Sequence, residues 1–89
     1  NQDFLPFKNI GRLFSEVVLK PGESFGFHRH TNEFEIIYVI EGKAKYYDND
    51  SICGIEEGDV CVCENGNGHG VENIGDKPLR YAALVLYAR

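Results

Sequence analysis

GFHRHTNEFEIIYVIEG, residues 26–42, holds two of the chain's three histidines, two nearby carboxylates and a run of β-branched and aromatic residues closed by a glycine. The run is too short for a helix of several turns and is rich in residues that suit a pleated strand. In a strand, residues i and i+2 point to the same side. His28 and His30 therefore share a face, about 6–7 Å apart along the backbone. Two imidazoles at that separation are able to converge on one ion lying about 2 Å from each ring nitrogen. A turn after His30 brings the next strand alongside and places a carboxylate at its start. Glu33 and Glu35 lie on one face of that strand, and local spacing does not choose between them. A fourth ligand has to come from elsewhere, and the remaining histidine is His69.

The strand that follows carries a second message. In Phe34–Ile40 both alternating faces are largely apolar, and the same is true of Tyr81–Leu86. A sheet with one wet face alternates apolar with polar residues. Two-sided apolarity predicts that the outer face is covered too, and a chain of 89 residues has little else to cover it with. A homodimer packing sheet against sheet is the expectation.

Turn signals recur at short intervals along the rest of the chain. Pro21-Gly22, Asp48-Asn49-Asp50, Gly58-Asp59, Asn65–Gly68 and Gly75–Pro78 punctuate runs of Val, Ile, Phe and Tyr. Strands are expected near Arg12–Lys20, Ser24–His30, Phe34–Glu41, Lys43–Asp48, Val60–Cys63, His69–Ile74 and Leu79–Ala88. The first ten residues read as an arm or a short turn. No segment keeps a helical period. Closely spaced strands point to an all-β sandwich or barrel forming one domain over residues 1–89.

The totals exclude several classes. Nine Lys plus Arg against 14 Asp plus Glu give a formal charge of −5, with no basic cluster. Phosphate-backbone binding needs such a cluster, so nucleic acid is not an expected partner. No apolar run approaches the ~20 residues of a spanning helix, and no membrane association is expected. The three cysteines, Cys53, Cys61 and Cys63, are odd in number and form no C-x-x-C pair. They read as small hydrophobes suited to a reducing cytoplasm rather than a disulfide framework. The chain has no methionine, not even at position 1, so preceding residues are expected in the natural protein.

Two spaced motifs resemble those of the cupin superfamily. The first family motif is G-x5-H-x-H-x3–4-E-x6-G, and here it reads Gly22, His28, His30, Glu35 and Gly42. The second is G-x5-P-x-G-x2-H-x3-N, and here it reads Gly58, Glu64, Gly66, His69 and Asn73. The spacing to Gly42 selects Glu35 over Glu33. The one departure is Glu64 in place of proline, which removes a source of stiffness from the turn before His69. The chain looks like a small single-domain cupin of the conserved-barrel type, with motif 1 at 22–42 and motif 2 at 58–73.

This resemblance implies a cupin jelly-roll β-barrel of two antiparallel sheets. It implies one divalent transition metal ion, Mn, Fe, Ni, Co, Zn or Cu, held by His28, His30, Glu35 and His69. Three imidazoles and a carboxylate do not choose among these ions. Positions left open on the ion would take water, O₂ or a small-molecule ligand. Two functions fit. One is a metal-dependent enzyme acting on an organic acid or other oxygen-rich small molecule, of dioxygenase, decarboxylase or isomerase type. The other is a non-catalytic metal-containing binding or sensor module. Residues on the expected histidine face are Ser24, Gly26, Ile37, Val39 and Val71, a small and largely apolar lining. Arg29 falls on the opposite face, and Tyr38, Tyr46, Tyr47 and Tyr81 read as core or interface aromatics. Asn73 is expected to tie a turn through hydrogen bonds.

Overall fold

The structure, a computed structural model, describes residues 10–88. The arm or turn expected over residues 1–10 lies outside them except for Ile10. The described residues form eight strands: β1 (Gly11–Leu19), β2 (Ser24–Arg29), β3 (Glu33–Glu41), β4 (Lys43–Asp48), β5 (Ser51–Glu56), β6 (Val60–Cys63), β7 (Gly68–Asn73) and β8 (Leu79–Tyr87). Among them there is no helix, and so none long and apolar enough to cross a membrane. The strands make two four-stranded antiparallel sheets, β1-β8-β3-β6 and β2-β7-β4-β5. This is the jelly-roll sandwich expected from the strand spacing and the two motifs.

The core lies between the sheets. One face each of β3 and β8 supplies Ile37, Val39, Tyr81 and Ala83, which meet Ala44 and Tyr46 of β4, Ile55 of β5 and Val71 of β7. Period-2 alternation explains the outer face as well. Ile36, Tyr38, Leu84 and Leu86 point away from this core and are partly exposed.

Two glycines are needed where they stand. Gly22 sits at φ +86° in the turn closed by Glu23 N donating to Lys20 O at 2.9 Å, the left-handed position that Pro21-Gly22 anticipates. Gly42 has φ +101°, and a Cβ there would stand 3.0 Å from Pro78 O. It lets β3 turn directly into β4 beneath the start of β8. Asn73 ties its turn as expected: Nδ2 donates to Leu19 O and Lys77 O, both at 2.9 Å, and Oδ1 accepts from Gly75 N.

One strand was not anticipated. β5 pairs along its whole length with β4, from Lys43↔Glu56 to Asp48↔Ser51. Its sequence SICGIE carries a mid-strand glycine and only Ile55 is buried, so it has little periodic signal. It is an edge strand, formed because the tight turn at Asn49 (φ 52°) folds the chain back on β4.

Candidate metal centre

The four motif residues come from both sheets. His28 is in β2, His30 follows it, Glu35 is in β3 and His69 is in β7. His28 and His69 are direct cross-strand partners. His30 and the turn before His69 are held to each other by backbone bonds: His30 N donates to Asn67 O at 3.0 Å, and Gly66 N donates to His30 O at 2.9 Å. Asn32 N donates to Asn65 Oδ1, and Arg29 Nη1 to Gly66 O. Arg29 is thus exposed, as expected of its strand face, yet it fastens one motif to the other. The turn itself closes with Asn67 N donating to Glu64 O at 3.0 Å. These cross-links supply constraint at the turn where Glu64 replaces the proline.

The ligand atoms of His28, His30, Glu35 and His69 all lie within 4.8 Å of one another. His69 Nε2 is 3.2 Å from His28 Nε2 and 3.3 Å from His30 Nε2. Glu35 Oε1 is 2.7 Å from His30 Nε2, 2.9 Å from His69 Nε2 and 3.7 Å from His28 Nε2. Adjacent ligands about an ion with bonds near 2.1 Å stand about 3.0 Å apart in octahedral and about 3.4 Å in tetrahedral geometry, so the donor set fits one ion.

The other ring nitrogens explain why the Nε2 atoms face inward. His28 Nδ1 is 2.9 Å from Gly26 O, and a carbonyl only accepts, so Nδ1 carries the proton. His30 Nδ1 donates to Glu33 Oε1 at 2.9 Å. His69 Nδ1 shares a 2.9 Å hydrogen bond with the Tyr46 hydroxyl. A proton on Nδ1 of His28 and His30 leaves Nε2 free to face the centre as a ligand, and the Tyr46 hydroxyl accepting from His69 Nδ1 does the same for the third ring, the arrangement typical of metal-bound histidine. Lone pairs and a carboxylate oxygen at such separations repel unless protons or a cation lie among them, and a divalent ion satisfies all four donors at once.

The supporting groups have their own chemistry. Arg12 grips Glu33 through Nε (2.8 Å to Oε2) and Nη2 (2.7 Å to Oε1). These bonds, with help from His30, hold the Glu33 carboxyl at about 2 against the cost of burial. Without a metal, burial works to raise the Glu35 carboxyl, but protons on the His69 and His30 Nε2 atoms, acting through hydrogen bonds and charge, outweigh it and hold it below the ordinary range. Burial pushes the Tyr46 phenol well above its usual value, so it remains a neutral hydroxyl beside His69.

A cavity of about 200 Å³ opens from the four residues. Ile37 and Val71 line it as the strand pattern anticipates, but Ser24, Gly26 and Val39 do not. The cause on β2 is a bulge. Phe25 pairs with Val71 and His28 with His69, so three steps on β2 oppose two on β7. The extra residue moves Phe25 onto the histidine face and turns Ser24 away. Gly70 makes room for it, since a Cβ there would stand 3.1 Å from Phe27 N. Val39 belongs to the core instead. Arg12 and Tyr46 were not foreseen as site residues. Neither carries a local signal, because each reaches the centre from a different strand.

The comparisons with known proteins agree with the fold. Residues 15–87 match the family model described as a cupin domain. The chain belongs to the cupin family. Over 78 residues it is 40% identical to a Thermotoga maritima protein named "Oxalate-binding protein", covering 88% of this chain and 64% of that one. It is 26% identical over 74 residues to an uncharacterized Methanocaldococcus jannaschii protein, of which it spans 59%. The cupin chain thus spans less than two thirds of these two relatives. Among solved structures it superposes on a "predicted oxalate decarboxylase" from Thermotoga maritima with TM-score 0.90 and 38% identity, covering 92% of this chain and 71% of that one. A Cupin 2 conserved barrel domain protein from Salinispora arenicola gives TM-score 0.74 and 31% identity, over 83% of this chain and 60% of that one.

Proposed function

We propose that this cupin, as a single domain over residues 1–89, holds one divalent transition metal with His28, His30, Glu35 and His69 and acts on a small organic acid or related oxygen-rich molecule. The convergence of three Nε2 atoms on one carboxylate oxygen, each imidazole anchored through Nδ1, carries this reading. The printed name of the Thermotoga relative supports an organic acid as ligand. A metal bound there supplies Lewis acidity, or oxygen chemistry if it is redox-active. The chain's own residues do the rest. Glu33 and Tyr46 hold imidazoles in place, Glu35 keeps negative charge at the centre, and the apolar walls limit water. Dioxygenase, decarboxylase and isomerase types all remain within this class.

A second reading is a binding or sensor module without turnover. It is favoured by the cavity lining, in which all three histidines belong to the donor set and no further carboxylate stands within the walls among the described residues. Elemental analysis of protein purified without chelator or affinity-column nickel tests the metal. About one ion per chain is expected, falling to a trace in His30→Ala; a metal-free wild type overturns the assignment. Oxygen uptake and product analysis with a panel of diketones and hydroxy acids then separate turnover from binding.

We also infer a homodimer through the outer face of the β1-β8-β3-β6 sheet. Phe14, Val18, Tyr38, Val60 and Val62 stand about half exposed on it, a broad apolar surface for a free monomer.

A further inference from the structure

The cavity's walls differ sharply from its metal end. Leu13 and Val17 from β1, Ile37 from β3, Val71 from β7 and Ala83 and Val85 from β8 make a hydrocarbon lining. Among the described residues, Arg12 and Tyr81 are the lining residues with polar groups beyond the four donors. Arg12 stands at the half-exposed rim with Nε and Nη2 already held by Glu33. Tyr81, only 2% exposed, lines the cavity from β8.

Oxalate is poorly matched to such a space. It carries two charges and four oxygens and no apolar atoms. With its head at the donor residues, the outer oxygens would face walls that are mostly hydrocarbon, and burying their charge among so few polar groups costs free energy. Its few atoms would also leave much of the 200 Å³ without contacts. A ligand that presents one carboxylate and an adjacent oxygen to the metal end, and hydrocarbon to the rest, avoids both costs.

We infer that the cavity is built for a 2-oxo or 2-hydroxy acid bearing a short apolar side chain, in preference to oxalate. The carboxylate and its neighbouring oxygen lie toward His28, His30, Glu35 and His69. The side chain lies among Val17, Ile37, Val71 and Ala83. This assignment rests on the metal reading above and deepens it from organic acids in general to one class.

The test is calorimetric binding to the full chain loaded with Co²⁺. Pyruvate, α-ketobutyrate and α-ketoisocaproate share one head and differ in side chain. Affinity is expected to rise about fourfold per buried methylene along the series. α-Ketoisocaproate is expected to bind at least tenfold tighter than pyruvate, and tighter than oxalate. Val17→Phe narrows the side-chain space, and the ratio of α-ketoisocaproate to pyruvate affinity should fall at least fivefold. A flat series in the Co²⁺-loaded wild type, or oxalate binding more tightly than α-ketoisocaproate, overturns the inference while leaving the metal site standing. Failure to take up Co²⁺ at all overturns the metal reading and this inference together. The wild-type series decides the matter even if Val17→Phe does not fold.

Discussion

Glu33 Oε1 accepts from His30 Nδ1 at 2.9 Å, on the opposite side of the ring from the converging Nε2 atom. Glu33 therefore acts on the donor set through His30 rather than as a member of it. The contact sets the tautomer of His30 and makes its Nε2 a stronger donor. Both carboxylates near the histidine pair have a place at the site, one on each ring nitrogen of the same imidazole.

Substituting Glu33→Gln should weaken metal binding by about 10–100-fold without abolishing it, the usual scale for an outer partner of a ligating histidine. His30→Ala should remove binding almost entirely. Competition with a chromophoric chelator measures both. Equal losses in the two variants would place Glu33 in the donor set.

The same residue predicts how metal-free stability depends on pH. Its folded pKa of about 2 lies below the ordinary value of 4.5, because Arg12 and His30 stabilise the charged form. A depressed carboxylate contributes stability that is complete above the unfolded value and is lost as pH falls through the folded one. Chelator-treated wild type should unfold at higher urea than Glu33→Gln at pH 6. The gap should start to shrink below about pH 5 and nearly close by about pH 2. A gap that widens with acid would contradict the pairing.

Thiol labelling should separate the three cysteines. Cys53 is exposed, Cys61 is partly covered and Cys63 is buried. Burial pushes the Cys61 and Cys63 thiols up to about 11, so few are thiolates at neutral pH. Iodoacetamide at pH 7.5 should modify Cys53 first and Cys63 only on unfolding. Mass mapping of a time course reads the order, and early labelling of Cys63 would show that β6 opens readily.

The outer apolar sheet face predicts dimeric mass by light scattering at micromolar concentration. Phe14→Glu with Val62→Lys should give a folded monomer that retains metal. A monomeric wild type would remove the homodimer.

Much of this protein is determined by local sequence. Period-2 runs between turn residues specify strands, and left-handed glycines such as Gly22 and Gly42 end them. The pair His28 and His30, with Glu35 and His69 at family spacing, marks the cluster that the fold closes. The strands, the turns and the His28–His30 pair depend on residues near one another in the chain, where backbone sterics and side-chain alternation act, whereas His69 is marked by its place in the second family motif.

The tertiary structure decided the rest. A bulge on β2 exchanged Ser24 for Phe25 in the cavity, because strand register is a property of two paired strands and not of one. The edge strand β5 exists through its pairing with β4. Arg12 meets Glu33 across 21 residues and Tyr46 meets His69 across 23. Each of those contacts needs the sheets already formed, since no local periodicity sets which side chains meet between strands far apart in the chain.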